Sequence, residues 1–143
     1  MEFNLYKEIS DLNDNYSGYY KLFSSNDTRE PWNRESWNKN TVFLEMEELE
    51  LFSDILSQVK KFDEYDYIEY TIDEVTIILE KLSYRYKEIE KGNYSFINKS
   101  EIEFYKIMFK CISENKEKVI KFFDDLISWI HKHKKEGIKY LGL

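Results

Sequence analysis

The sequence predicts an all-α fold: a single domain over residues 1–143, built as an irregular bundle of roughly four to six helices. Three observations carry this expectation. Apolar residues recur at helical spacing through most of the chain beyond residue 40. Only four glycines and one proline are available for turns, fewer than an all-β domain ordinarily uses. Hydrophobic residues make up 42% of the 143 positions and aromatic residues 17%, enough for a core and too many for a disordered chain.

The elements follow in order. Leu5, Ile9 and Leu12, flanked by Phe3 and Tyr6, share one helical face, so a short helix is expected over 2–14. Residues 16–23 would continue it past Gly18, at a cost of about 1 kcal/mol relative to alanine. Residues 24–40 are polar, contain Pro31, Trp32 and Trp37, and read as a loop with a helical turn starting at the proline. Over 41–62, Val42, Leu44, Leu49, Phe52, Ile55, Leu56, Val59 and Phe62 fill a broad apolar arc, which predicts a helix. Residues 63–70 break the pattern and read as an acidic, tyrosine-rich connection.

Thr71 and Glu74 form a capping box that opens a helix over 72–91. Its stripe is Ile72, Val75, Ile78, Leu79, Leu82, Tyr86 and Ile89, and Gly92 is placed to end it. Ser100 and Glu103 form a second box, after which apolar residues stay in phase to about residue 135. Asn115 and Lys116 fall inside that apolar arc, so two helices separated by a kink or short turn are expected. Gly137 ends the second, and the apolar tail docks on the body.

Charge narrows the function classes. The net charge of -7 argues against a general nucleic-acid binder, which needs cations to displace counterions from phosphate. Residues 41–90 hold fourteen acids against five bases, whereas residues 91–143 hold seven acids and eleven lysines. The first residues lack a basic region followed by an apolar run, and no stretch approaches the roughly 18 apolar residues of a membrane span. Cys111 is the single cysteine, so neither an internal disulfide nor a multi-cysteine zinc site can form. A reducing cytoplasm, away from membranes, is the expected compartment.

Catalytic signatures are missing from the sequence. It has no glycine-rich phosphate loop and no Gly-x-Ser-x-Gly. His131 and His133 stand two apart on a predicted helix and point to different sides, so they do not share a metal. Glu45 and Glu48, three apart within the apolar arc, resemble the Glu-x-x-Glu by which helical metalloenzymes hold divalent ions. The Glu-x-x-Asp that all-α nucleotide pyrophosphohydrolases carry on the next helix is not matched, because Glu69 and Asp73 are four apart. Two glutamates in a first helical turn are equally what a helix dipole favours. No metal, cofactor or catalytic residue is therefore assigned.

The leading expectation is a protein-binding module, an inhibitor of immunity type that neutralises a basic partner such as a toxin nuclease. In size, charge and aromatic content the chain resembles the small acidic immunity proteins that bacteria make against toxins. The expected contact residues are Glu45, Glu47, Glu48 and Glu50, then Asp63, Glu64, Tyr65, Asp66, Tyr67, Glu69 and Tyr70, then Asp73 and Glu74. Carboxylates would steer a basic partner, and tyrosines would supply rigid contact area. The alternative is a metal-dependent hydrolase of nucleotides or phosphate esters that uses Glu45 and Glu48. A third reading is self-association through an apolar strip that includes Phe43 and Ile77.

Overall fold

The computed structural model describes residues 3–7, 12, 19–24, 41–97 and 102–142. Among them the chain forms strands β1 (Tyr20–Ser24) and β2 (Thr41–Leu44), helices α1 (Met46–Glu50) and α2 (Ser53–Val59), and strand β3 (Tyr67–Tyr70). Helices α3 (Ile72–Glu90), α4 (Ile102–Glu114) and α5 (Lys116–His133) follow, then a single 3-10 turn and strand β4 (Ile138–Leu141). The strands make one antiparallel sheet in the order β2-β1-β4-β3. The all-α, all-helical expectation is therefore wrong: the fold is mixed, with helices packed on a sheet.

Each strand replaces something else the sequence was expected to do. The supposed helix over 41–62 begins as β2, because Thr-Val-Phe-Leu is β-branched and aromatic and is buried on both faces. A buried run of that kind carries no alternation, so periodicity alone does not separate it from a helix. Residues 20–24 are likewise buried throughout as β1. The 63–70 connection ends in β3, whose exposed-buried alternation is that of a half-buried strand. The tail forms an inner strand. The expected loop and turn over 25–40, the stretch 13–18 and the Ser100 cap lie outside the described residues.

The long helices match the reading of their sequence. Glu74 N–H donates to Thr71 Oγ1 at 3.3 Å, and Thr71 N–H donates to Glu74 Oε1 at 3.0 Å. At the other end of α3, Gly92 has φ +80°, and the N–H groups of Gly92 and Asn93 return to the carbonyls of Ile89 and Glu88. That is a Schellman cap, and only glycine adopts its left-handed position cheaply. The break between α4 and α5 falls at Asn115, whose side-chain amide bonds the Cys111 carbonyl at 2.8 Å.

One sheet face packs the core. Tyr20, Leu22, Val42, Leu44, Ile68, Tyr70, Ile138 and Tyr140 meet Val75, Ile78 and Leu82 of α3 and Phe122, Leu126 and Ile130 of α5. Each fully buried large side chain contributes about 1.5–3 kcal/mol of transfer free energy. On the other face Phe43 and Tyr19 form a smaller cluster with Tyr6, Leu12 and Leu141. Tyr6 exchanges both backbone hydrogen bonds with Phe43, at 3.2 and 2.8 Å, which covers the outer edge of β2. Phe43 is fully buried here, so it offers nothing to a second copy; Ile77 remains 44% exposed.

Candidate functional site

The sheet register decides where the acids go. Leu44, the last residue of β2, pairs with Tyr20, the first of β1. Lys21 pairs with Leu141 at the end of β4, and Leu141 pairs with Tyr67 at the start of β3. The chain therefore leaves β2 into Glu45–Glu50 and enters β3 from Asp63–Asp66 at the same end of the sheet. Three strand spacings, about 14 Å, separate the two connections.

Tyr20 links them. Its hydroxyl donates to Met46 Sδ at 3.8 Å. Its pKa is raised by burial first, then by the charges of Glu64, Tyr65 and Glu50. Acids from both connections thus act on one phenol. Tyr20 and Gly142 were not singled out in the sequence, because only the pairing of β1 with β4 brings them here.

The first connection caps a helix. Glu45 is extended (φ -86°, ψ 172°), and its N–H donates to Glu48 Oε1 at 3.3 Å. Glu47 and Glu48 occupy the first turn of α1, where the dipole favours negative charge. Glu48 is only 1% exposed, and burial pushes its carboxyl up to about 7. Carboxylate oxygens of Glu45, Glu47 and Glu48 lie within 4.8 Å of one another. Nearby, an Asn4 amide bond at 3.5 Å acts to lower the Tyr6 pKa, but burial and the charges of Glu45 and Glu48 raise it overall.

The second connection is a turn held by backbone groups and by the Asp63 and Asp66 carboxylates. Tyr65 N–H donates to Asp63 Oδ1 at 2.9 Å, and Asp66 N–H donates to the Asp63 carbonyl at 3.0 Å. Tyr140 Oη donates to the Glu64 carbonyl at 2.7 Å, and Gly142 N–H donates to the Asp66 carbonyl at 3.0 Å. Asp63, Tyr65 and Asp66 are left exposed, Tyr65 by 64%. Among the described residues, no lysine or arginine forms an ion pair with Asp63, Glu64 or Asp66, so the lysine-rich segment beyond residue 90 does not cancel this patch. Behind it, buried Lys21 donates to the Gly142 carbonyl at 3.5 Å, and burial lowers its pKa to about 8.

The remaining expected contact residues lie elsewhere. Tyr70 faces the core at 2% exposure, and its hydroxyl has no hydrogen-bond partner among the described residues. Asp73 and Glu74 open α3 beyond the opposite end of the sheet. Burial works against the Glu74 carboxylate, but Thr71 N–H and Lys60 Nζ, 2.9 Å away, lower its pKa overall. Glu69 lies on β3, with Lys139 Nζ at 3.9 Å and the Tyr67 hydroxyl at 2.9 Å. The structure thus assembles Glu45, Glu47, Glu50, Asp63, Glu64, Tyr65 and Asp66 at one end, places Tyr67 and Glu69 along the adjoining edge, and separates Tyr70, Asp73 and Glu74 from them.

Other chemistry-bearing groups are structural. His133 packs on Trp129, with Nδ1 3.4 Å from a Glu136 carboxylate that also accepts from Ser24. A cleft of about 500 Å³ between α2, α3 and residues 93–96 is lined by Ile77, Glu80, Tyr84, Arg85 and Phe96 and by none of the acids at the sheet end. Arg85 is buried there, forked onto Asp54 at 2.5 Å and stacked 4.3 Å from the Phe96 ring.

No protein-family model, curated protein or solved structure matches this chain. No helix among the described residues is long and apolar enough to cross a membrane.

Proposed function

We propose that this chain is a protein-binding module whose acidic sheet end receives a basic partner. The observation that carries the reading is the register, which brings Glu45–Glu50 and Asp63–Asp66 to one end of the sheet, with Tyr20 between them and Tyr65 exposed beside the second group. A concentration of carboxylates, with Asp63 and Asp66 exposed, accelerates encounter with a cationic surface, and a rigid aromatic beside them supplies contact area. The finer form of the proposal is a cytoplasmic inhibitor that covers the active site of a basic enzyme such as a toxin nuclease.

A tagged pulldown from the source cell, washed in rising salt, is the test. A stoichiometric basic protein retained by the native chain and lost from the Asp63→Lys, Glu64→Lys, Asp66→Lys triple variant supports the reading. Equal retention by both chains, or no stoichiometric partner, overturns it.

One observation favours the metal-dependent hydrolase as a second reading: the proximity of the Glu45, Glu47 and Glu48 carboxylates. A cation held in the native state must raise the melting temperature. Melting curves that Mg²⁺ and Mn²⁺ leave unchanged remove it.

A further inference from the structure

The register also fixes which backbone groups β3 directs outward. Gly142 N–H bonds the Asp66 carbonyl, so Asp66 and Gly142 are a hydrogen-bonded pair of the β3–β4 ladder. Such pairs alternate along an antiparallel ladder, so Ile68 and Tyr70 also face β4, while Tyr67 and Glu69 direct their N–H and C=O groups away from it. The side-chain bonds agree: Asp66 Oδ1 accepts from Tyr67 N–H at 2.8 Å, and Lys60 Nζ donates to the Glu69 carbonyl at 2.5 Å. The Glu69 N–H and the Tyr67 carbonyl have no partner among the described residues. Among the described residues β3 is the last strand of the sheet on this side, whereas the opposite edge is covered by Tyr6.

We propose that the open edge of β3 is a strand-addition site, which takes an extended, lysine- or arginine-bearing segment of the partner protein as a fifth strand. This rests on the partner-binding reading above and states how the partner is held. Main-chain hydrogen bonds to Glu69 and Tyr67 supply the register, and side chains at alternate positions supply the selectivity. Charge selects the occupant. Glu69 lies on the exposed face of the strand, Asp66 and Asp63 stand at its entrance, and Tyr67 and Tyr65 flank them. A second copy of this edge brings the same acidic sheet end and no basic segment to meet it, so self-pairing is disfavoured relative to a cationic strand. Lys60 and Asp66 each hold one outward group and act as displaceable blockers, a common protection of exposed edges.

The test uses a capped short peptide alternating lysine and valine, its glutamate-for-lysine counterpart, and a version N-methylated at alternate residues. Binding to the whole chain is followed by amide NMR and hydrogen exchange. Saturating lysine peptide is expected to slow exchange at the Glu69 amide by at least about tenfold. The glutamate and N-methylated peptides should leave it unchanged. Glu69→Pro removes the outward N–H and leaves the backbone ladder to β4 in place, and it should weaken binding by about tenfold or more relative to Glu69→Gln, which removes only the carboxylate and its Lys139 pair. Lys60→Met uncovers the Glu69 carbonyl and should tighten it.

Unchanged Glu69 exchange at saturation, no binding of the lysine peptide, or equal binding by Glu69→Pro and Glu69→Gln overturns strand addition. A peptide indifferent to Glu69→Pro but lost from the Asp63→Lys, Glu64→Lys, Asp66→Lys variant overturns strand addition alone and leaves the acidic sheet end standing. The pulldown judges that surface independently.

Discussion

Glu48→Gln isolates the ionisation of one buried carboxyl. Glu48 is 1% exposed, and burial raises its pKa from an ordinary 4.5 to about 7. Between those values the folded chain holds a proton that the unfolded chain has released. Stability therefore falls as pH rises through this window and levels off above it. A shift of about 2.5 units at about 1.4 kcal/mol per unit makes this contribution about 3 kcal/mol. Glutamine cannot ionise, but its carbonyl oxygen can still accept the Glu45 N–H that Glu48 Oε1 accepts at 3.3 Å. The variant should match the native chain near pH 4.5 and exceed it by up to about 3 kcal/mol at pH 8. At this chain length that is a rise of roughly 6–12 °C in melting temperature. Urea and thermal melts of both chains at several pH values between 4.5 and 8 read the difference directly. A difference that does not change with pH, or a variant less stable than the native chain at pH 8, would refute the reasoning. A divalent cation that reversed the pH dependence of the native chain would show instead that Glu48 works ionised, as the hydrolase reading requires.

Three further substitutions probe other features. Tyr70→Phe deletes a buried hydroxyl that has no partner among the described residues, so it should raise stability by about 1 kcal/mol; a lower melting temperature would show that the hydroxyl is bonded. Gly142→Ala would place a Cβ 2.1 Å from the Glu64 carbonyl oxygen and 2.7 Å from Tyr65 Cα, forcing the 63–66 turn to move. It should cost about 2 kcal/mol in denaturant melts and weaken partner binding, and a neutral result would contradict the close approach. Arg85→Lys keeps the charge but loses the fork onto Asp54 and the stacking on Phe96, so it should cost about 1–2 kcal/mol, and stability unchanged in a thermal melt would refute that.

The long elements were legible because their signals are local. Thr71 and Glu74, Gly92 and Asn115 mark the ends of α3, α4 and α5 by chemistry confined to a few neighbouring residues. The strands were not legible, for two physical reasons. Each has only four or five residues, and β1 and β2 are buried on both faces, which erases the alternation a strand ordinarily shows. The scarcity of glycine and proline also misled. β2 connects to β3 through α1 and α2, and β3 to β4 through α3, α4 and α5, so the tight turns that use those residues are not needed. The acidic segment was visible as composition, but its division between two ends of the sheet was not. Asp63 and Glu74 are near in sequence, and β3 runs between them.

The inner position of β4 ties recognition to the completion of folding. Lys21 reaches Gly142 across 121 positions of sequence, so the sheet closes through contacts of very high order, whose closure slows folding. Until residues 138–141 insert between β1 and β3, β3 has no neighbour to hold it extended, and the edge proposed to receive a partner does not exist. A partner that recognises this edge would therefore bind only molecules in which β4 is in place.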